Sequence, residues 1–345
     1  MKLLVLAAGL GSRFGGVKQL ASVGPHGETL LEYNLYDAAA SGFDSVVFLL
    51  RKEIEDDFNA AIRSRLPPGL RVEIAYQSAE RCLPTDADFL ARMGGAGDAL
   101  SARKKPWGTG QALLCAREFL EGESFAVANA DDFYGRAGFW AVAGFLGKRE
   151  ESSLPEYCIA GYRLGGVVPG SGSVSRAVCS ARPDGYLEGI LEHTDVRKSG
   201  SAIVSIGKDG TPSELSPDLP VSMNLWGLDS SVFPWAEERF RAFLEAAAQA
   251  RDASYLERAE FYLPTLLGEM NAAGKARIKV LDVDGTCFGL TNPQDLERTR
   301  AAISSLSARK EGEGEGEGKN ETYPSPLWEG WKAPRPARVV PGRTR

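Results

Sequence analysis

A short apolar run that ends in glycines opens the chain, and it constrains the fold more than any other feature. Residues 2–8 read Lys-Leu-Leu-Val-Leu-Ala-Ala, a pattern typical of a fully buried strand. The backbone can turn sharply at Gly9 and Gly11 and approach a ligand closely there. Two cations, Arg13 and Lys18, follow. Because successive backbone N–H groups and fixed positive charges attract anions, these residues predict a polyphosphate-binding loop at the carboxyl end of a buried strand.

Two other glycine-rich motifs do not fit this loop. The dinucleotide-binding pattern Gly-x-Gly-x-x-Gly needs a third glycine where this chain has Phe14. The P-loop pattern Gly-x-x-x-x-Gly-Lys-Ser/Thr is absent from the sequence. An ordinary glycine-rich turn is the remaining alternative. The apolar strand before the loop and the two cations after it favour the anion-binding interpretation.

Composition limits the class of protein. The chain has 345 residues and a net charge of −6, which argues against general binding to nucleic acid. No apolar stretch approaches the roughly 20 residues of a membrane span, and the start lacks the features of a secretory signal, so we expect a cytoplasmic protein. The five cysteines form no Cys-x-x-Cys pair, which indicates reduced thiols rather than a zinc or disulfide framework. With two histidines, the chain has little material for histidine-based catalysis.

Strand and helix patterns alternate over the first 130 residues. This succession predicts an α/β fold with a mostly parallel sheet and helices on both faces. The predicted strands are 3–6, 46–50, 72–76 and 125–128, and the predicted helices are 30–40, 54–66 and 110–120.

The middle of the chain has a different pattern, with strand-like segments separated by Gly, Pro and Asp turns. It predicts an antiparallel or mixed extension of the sheet. The predicted strands are 157–162, 174–179, 186–191, 221–225 and 278–281, and the predicted helices are 230–250, 262–273 and 293–306.

From residue 308 the composition changes to a Glu-Gly repeat, followed by a stretch rich in Pro and Arg. Such a sequence buries little apolar surface, so we expect a disordered tail over residues 308–345. A peptide that binds a partner through Trp328 and Trp331 is the alternative.

A carboxylate pair follows the predicted strand 125–128. Asp131 and Asp132 lie in the stretch Asn-Ala-Asp-Asp-Phe-Tyr-Gly. Ligands of open α/β sheets bind beyond the carboxyl ends of the strands. Carboxylates there suit Mg²⁺, which combines one or two of them with phosphate oxygens. A turn that caps the next helix is the structural alternative.

Residues 6–13, Leu-Ala-Ala-Gly-Leu-Gly-Ser-Arg, together with Lys18, resemble the signature of the nucleotidyltransferases that include sugar-1-phosphate nucleotidylyltransferases. The resemblance implies a Rossmann-like, nucleotide-diphospho-sugar transferase-like fold. It also implies that Ala8, Gly9 and Gly11 wrap a nucleoside triphosphate while Arg13 and Lys18 hold its phosphates. An aspartate after the fourth strand binds catalytic Mg²⁺ in this family. Asp131 and Asp132 both qualify, and we prefer Asp131 because it lies nearer the strand.

The same resemblance implies further nucleotide-binding residues. Gln77 matches the position that hydrogen-bonds the base edge, and an amide can both donate and accept there. Gly108 and Thr109 match a stretch beneath the base and ribose. The Gly-Thr-Gly sequence also predicts a helix start whose free N–H groups face the sheet edge.

The resemblance is weaker for the acceptor. Residues 189–192 resemble a family strand that ends in Glu-Lys-Pro, in which the glutamate binds sugar hydroxyls and the lysine binds the sugar phosphate. Glu192 matches that glutamate, but His193 stands where the lysine is expected. Asn224 is expected to line the same pocket. A second metal-binding aspartate of relatives aligns with Gly289, and Asp282 or Asp284 could substitute only from shifted positions.

The expected reaction is transfer of a nucleoside monophosphate from a nucleoside triphosphate to a phosphorylated small molecule, with a sugar 1-phosphate as the first candidate, and with release of pyrophosphate. A cytidylyltransferase for another alcohol phosphate, such as phosphocholine, is the enzymatic alternative. A nucleotide-binding regulatory protein without turnover is the alternative of another class. We expect one transferase domain over 1–307, with a nucleotide half over about 1–150 and an acceptor half over about 151–307.

Overall fold

The computed structural model describes residues 1–9, 21–93, 100, 102–148, 152–207, 210–249, 253–290, 295–307 and 323–331. Among these residues, eleven strands form one sheet and two short strands form a separate ladder. The strands are β1 Lys2–Leu6, β2 Ser45–Leu50, β3 Arg71–Tyr76, β4 Ser124–Asn129, β5 Asp132–Phe133, β6 Glu156–Arg163, β7 Val174–Ala181, β8 Leu187–Ser199, β9 Ala202–Ile206, β10 Pro212–Leu215, β11 Pro220–Asp229, β12 Arg277–Val283 and β13 Phe288–Gly289.

Helices connect many of these strands. None of the helices in the described ranges is both long enough and apolar enough to cross a membrane. The α-helices are α1 Leu30–Ala40, α2 Glu55–Ala61, α3 Ala87–Met93, α4 Thr109–Cys115, α5 Arg117–Leu120, α6 Gly135–Leu146, α7 Leu164–Val167, α8 Val232–Gln249, α9 Ala253–Arg258, α10 Leu263–Ala272 and α11 Asp295–Ser307.

The first part of the sheet is parallel. Its strands lie in the order β4-β1-β2-β3, and each neighbouring pair is parallel. All six residues of β2 are buried, as expected for a strand covered on both faces. Because the strands are parallel, the residues that follow β1, β2, β3 and β4 meet at one edge of the sheet.

Strand β11 joins this parallel part to the antiparallel part. It pairs antiparallel with β6 on one side, and with β7 and then β4 on the other. Its pairing with β6 is irregular between Ser222 and Trp226. Asn224 lies inside this irregularity in the left-handed conformation, with φ of 63°. A bulge bends a strand and redirects its side chains, and here it lets one strand change partners from β7 to β4.

Helix α1 supports the parallel part. The Thr29 side chain accepts from the backbone N–H of Glu32, whose carboxylate accepts from the backbone N–H of Thr29, so the helix starts with a capping box. At its other end Asp37, which is fully buried, forms an ion pair with Arg136 of α6 at 3.2 Å. The two helices are therefore tied together by charge as well as by packing.

The described part of the C-terminal tail packs on α1, so the expectation of disorder over 308–345 is wrong for residues 323–331, which we call the docked segment. Tyr323 and Leu327 are buried. The Tyr323 hydroxyl donates to Asp37 at 2.6 Å, and the rings of Trp328 and Trp331 lie 5.5 and 5.8 Å from the ring of Tyr36. Composition suggested disorder because the neighbouring residues are polar, but these aromatic and aliphatic side chains bury enough surface to order a short segment.

Candidate functional site

The carboxyl edge of the parallel strands opens into a cavity of about 500 Å³, which we call the first cavity. Each of the four strands contributes to its wall at or just beyond its end. The lining residues include Ala8 and Gly9 after β1, Arg51 after β2, Gln77 after β3, Asn129 at the end of β4, and Gly108 and Thr109 at the start of α4.

The first cavity brings together the described residues for which nucleotide binding is predicted. Ala8, Gly9, Gln77, Gly108 and Thr109 all line it. The other members of the predicted phosphate-binding loop, namely Gly11, Arg13 and Lys18, lie outside the described residues. The grouping supports the predicted roles of the five lining residues, which stay predictions until binding is measured.

Two glutamines form a network that fixes the orientation of the Gln77 amide. Gln77 Nε2 donates to the Gly108 carbonyl at 2.9 Å and to Gln111 Oε1 at 3.1 Å. Gln111 is held in turn, because its Oε1 accepts from the Trp107 backbone N–H and its Nε2 donates to the carbonyls of Ser78 and Arg81. Both amide protons of Gln77 are thus used within the protein, which leaves its Oε1 as the group available to accept from a ligand.

Gly108 is required by the backbone. Its φ is 103°, a conformation that residues with a side chain rarely adopt. A Cβ built there would also lie 2.9 Å from the Phe261 carbonyl oxygen. The glycine therefore allows residues 107–110 to pack closely against the segment before α10, and this packing places the start of α4 at the cavity.

The start of α4 is partly used by the protein itself. The Gly110 N–H donates to the Phe261 carbonyl at 2.7 Å, and the Thr109 hydroxyl accepts from the Leu263 N–H at 2.9 Å. The expectation that this helix start offers free N–H groups is therefore wrong for Gly110. The Thr109 hydroxyl proton is not used in that bond, so Thr109 can still donate to a ligand in the cavity.

Sequence reasoning missed Arg51. This residue lines the first cavity, and its Nε is buried without a hydrogen-bond partner among the described residues. A buried donor without a partner is costly, and an anionic ligand would satisfy it. The signal was present in the sequence, since Arg51 directly follows the predicted strand 46–50 at the ligand-binding edge.

Asp132 lines a second cavity, of about 760 Å³, next to the first. The second cavity is enclosed by α7, the loop that follows it, β7, β13 and α11. Asn129, which lines the first cavity, donates from Nδ2 to Asp132 Oδ2 at 2.8 Å and so connects the two cavities. Asp131 lies beside Asp132 but is not among the residues that line either cavity. The geometry therefore favours Asp132 over the preferred Asp131 as the group that meets a ligand.

A two-residue ladder fixes the location of Gly289, the position at which relatives are expected to carry a second metal-binding aspartate. Strand β5 pairs antiparallel with β13, and this register sets Gly289 directly opposite Asp132. The loop around them is fixed by a hydrogen bond from the Leu290 N–H to the Asp131 carbonyl at 2.8 Å. An aspartate at position 289 would thus lie close to Asp132, which agrees with the alignment of Gly289 with the family's second metal-binding aspartate. The substitute Asp282 is exposed and forms an ion pair with Arg163 at 3.2 Å.

The residues present fit Mg²⁺ only in a site where a bound ligand supplies some of the oxygens. Across the described ranges, no three His, Cys, Asp or Glu side chains are grouped as metal ligands. Mg²⁺ in phosphate-transfer sites binds through one or two carboxylates and completes its shell with phosphate oxygens and water. Asp132, at the junction of the two cavities, suits such a site if a bound triphosphate supplies the remaining oxygens.

The two predicted acceptor residues lie near the second cavity but do not line it. Glu192 is on β8, where partial shielding from water raises the pKa of its carboxyl and the charges of Arg176 and His193 oppose that rise. Asn224 lies at the irregularity of β11, and its neighbour Met223 is the one that lines the cavity. Their predicted roles remain untested by the geometry.

Comparison with known proteins supports the resemblance. Residues 3–84 match the family model of the MobA-like NTP transferase domain. No curated protein matches the sequence. The match confirms that the N-terminal part of the chain, including the predicted phosphate-binding loop, β1 to β3 and Gln77, is similar to nucleotidyltransferases, as its first residues indicated.

Three similar solved structures span nearly the whole chain. The inositol-1-phosphate CTP transferase from T. maritima is 11% identical, with 87% of this chain and 94% of that chain covered and a TM-score of 0.49. HddC from Yersinia pseudotuberculosis, complexed with GMP-PN, is 13% identical, with 88% and 99% covered and a TM-score of 0.49. HddC from the same organism is 14% identical, with 88% and 99% covered and a TM-score of 0.50. The likeness to this third structure confirms the predicted fold class.

Proposed function

We propose that this chain transfers a nucleoside monophosphate from a nucleoside triphosphate to a phosphorylated acceptor, with a sugar 1-phosphate as the first candidate. The observation that carries the proposal is the first cavity. Three of its four strand ends belong to the segment that matches an NTP transferase domain, and residues with predicted nucleotide contacts line it. The second cavity, beyond Asn129 and Asp132, offers space for an acceptor.

The proposed chemistry is an in-line displacement. An oxygen of the acceptor phosphate attacks the α-phosphorus of the triphosphate and forms a new P–O bond. The bond from the α-phosphorus to the bridging oxygen breaks, and pyrophosphate leaves with that electron pair. Because the attacking phosphate is already ionised near neutral pH, no general base is required. Catalysis then depends on positioning and on neutralising charge.

The roles of the chain's residues follow from this chemistry and from the resemblance. Arg13 would stabilise the leaving pyrophosphate, and Lys18 would hold phosphates of the triphosphate or the acceptor. Gln77 and Thr109 would contact the base and ribose. Asp132 would hold Mg²⁺, which supplies neutralisation of charge near the α-phosphate when bound. A cytoplasmic location, where triphosphates and reduced thiols are found, is part of the proposal.

Two observations favour the two alternative functions, one for each. His193 in place of the expected lysine favours a cytidylyltransferase for a non-sugar alcohol phosphate. Gly289 opposite Asp132 favours a nucleotide-binding protein without turnover. Both alternatives predict nucleotide binding in the first cavity, so binding alone does not separate them from the proposed function.

Pyrophosphate release tests the proposal directly. The purified chain is incubated with Mg²⁺, with each of the four common NTPs or dTTP, and with a panel of sugar 1-phosphates, glycerol 3-phosphate and phosphocholine. We expect release that requires one NTP and one acceptor together. Arg13→Ala should lower the rate by about 10²–10³, the usual effect of removing one charge-stabilising group. Nucleotide binding without release for any acceptor would instead support the regulatory alternative.

A further inference from the structure

The structure places an arginine across from the missing lysine. His193 of β8, which stands at the lysine position, is directly opposite Arg176 of β7 in the antiparallel ladder. Side chains of such directly opposed residues lie on the same face of the sheet, with Cβ atoms about 4.5–5.5 Å apart. His193 itself is engaged elsewhere, because its Nδ1 lies 2.9 Å from Ser205 Oγ of β9. The cation absent from position 193 is therefore present on the neighbouring strand, at Arg176.

The guanidinium of Arg176 is held in place by neutral groups. Its Nε and one terminal nitrogen donate to the Val167 carbonyl at 3.2 and 2.7 Å, and the other terminal nitrogen donates to the Ser175 carbonyl at 2.8 Å. These bonds use three of the five guanidinium N–H groups. Among the described residues no carboxylate lies within ion-pair distance of Arg176. Two N–H groups on a fixed, planar fork thus remain for a ligand.

The surroundings favour an anion at this position. Arg176 lines the second cavity together with Asp132 and with Arg298 of α11. Burial lowers the pKa of the Arg176 guanidinium, and the charges of Asp132 and Glu192 oppose that shift. A guanidinium remains charged at neutral pH in spite of such a shift. A bound phosphate would compensate the charge and accept both free N–H groups, the two-point geometry that Arg provides and Lys does not.

We propose that Arg176 binds the phosphate of the acceptor and that the acceptor is a phosphorylated sugar or polyol rather than phosphocholine. This inference rests on the proposed function for the reaction and goes beyond it in naming the phosphate ligand and the acceptor class. The wall beside Arg176 includes Ser171, Gly172, Ser173 and Ser175, whose hydroxyl and backbone groups suit a hydroxylated ligand. A quaternary ammonium group would need an aromatic cage, whereas Phe288 is the one aromatic residue lining this cavity among those described.

Equilibrium binding separates this inference from the proposed reaction. Titration calorimetry measures the binding of glucose 1-phosphate, mannose 1-phosphate, glycerol 3-phosphate and phosphocholine to the protein, in the presence of a non-hydrolysable NTP analogue and Mg²⁺. We expect at least one sugar or polyol phosphate to bind and phosphocholine to bind at least about 10-fold more weakly. Arg176→Gln should weaken binding of the phosphate ester by about 10- to 100-fold, the range for a hydrogen bond to a charged group. The affinity for the NTP analogue should stay within about twofold.

Further variants distinguish binding from folding. Arg176→Lys keeps the charge and should recover part of the lost affinity, which a purely structural role at the Val167 carbonyl would not explain. Arg182→Gln is the matched control, since Arg182 lies just after the same strand, pairs with Asp184 and is remote from the cavity lining. If Arg176→Gln fails to fold, Arg298→Gln, on the exposed surface of the same cavity, should weaken ester binding by about 2- to 5-fold, as expected for an exposed charge.

The outcomes are distinct for the two proposals. Three results would overturn the inference. The first is an Arg176→Gln protein that binds the phosphate esters as tightly as the wild type. The others are tighter binding of phosphocholine than of every sugar and polyol phosphate, and the absence of any ester binding to the wild type. Ester binding that depends on Arg176 but is never followed by pyrophosphate release would leave the inference standing and overturn the proposed reaction.

Discussion

Replacing Leu327 by alanine tests whether the docked segment belongs to the folded domain. Leu327 is 1% exposed and packs in a cluster with Leu30 and Tyr33 of α1 and with Ile303 and Leu306 of α11. Leu→Ala at such a site costs about 2–5 kcal/mol when the surroundings cannot move. A terminal segment can detach as a unit, so the measured loss cannot exceed the free energy of docking itself. We therefore expect a loss near the lower limit, about 2 kcal/mol.

The size of the effect on melting follows from the unfolding entropy. At about 2.1 cal/mol/K per residue, roughly 300 folded residues give an unfolding entropy near 0.6 kcal/mol/K. A loss of about 2 kcal/mol then lowers Tm by about 3 °C. Differential scanning calorimetry resolves such a shift. Urea titration followed by tryptophan fluorescence gives a second measurement, to which the docked segment contributes two of the six tryptophans, Trp328 and Trp331.

Matched variants make the result decisive. Leu90→Ala is the control for the substitution, since Leu90 is 53% exposed and surface substitutions usually change stability by less than about 0.5 kcal/mol. Truncation after Trp331 keeps the docked segment, and truncation after Ser307 removes it, so the difference between these two chains isolates residues 308–331. Equal Tm values for Leu327→Ala and Leu90→Ala would refute the docking, as would equal Tm values for the two truncated chains.

Two further predictions concern the cavities. Asp132→Asn should lower the rate of pyrophosphate release by at least about 100-fold and raise the Mg²⁺ concentration needed for half-maximal rate. The reason is that the charge of a metal ion is worth several kcal/mol at the transition state. A larger effect of Asp131→Asn in the same Mg²⁺ titration would instead assign the metal role to Asp131. Arg51→Ala should weaken binding of a fluorescent NTP analogue by about 10-fold, with the exposed Arg63→Ala as control, and unchanged affinity would remove Arg51 from the nucleotide site.

The parallel part of the sheet was predictable because its signal is local. Strands 3–6, 46–50 and 125–128 are apolar runs typical of burial on both faces, whereas 72–76 is a mostly apolar run at the edge of the sheet. The structure has strands over each of them. Where they end, polar and glycine residues must face the same edge, so the first cavity could be inferred before its geometry was known. The predicted helix 30–40 has the bounds of α1, since its capping box and the glycine after it are also local signals.

Other elements depend on contacts that the sequence does not show. The predicted helix 110–120 is divided at Ala116, which is fully buried between α4 and α5. Strands β9 and β10 were not predicted, because both are short and are defined by their pairing, and β10 is in addition a largely exposed edge strand. The docked segment was also missed, since its apolar residues have no periodicity and gain order from contacts with distant parts of the chain, among them α1 and α11. Pairing and docking are long-range properties, so composition predicts them poorly.

The same distinction explains the candidate site. Each residue predicted for the nucleotide follows a predicted strand or starts a predicted helix, so the local pattern of the sequence was enough to assign it to the ligand-binding edge. Arg176 depends on register instead: the pairing of β7 with β8 brings it opposite His193, and the carbonyls of Val167 at the end of α7 and Ser175 of β7 hold its guanidinium. A lysine lost from one strand and an arginine on the next present the same charge to the same cavity, although a comparison position by position along the sequence finds only a loss. The absence of the Glu-Lys-Pro motif is therefore weaker evidence against a phosphorylated acceptor than the sequence alone suggested. The residue that binds the acceptor's phosphate is better looked for on β7, opposite His193, than on β8 itself.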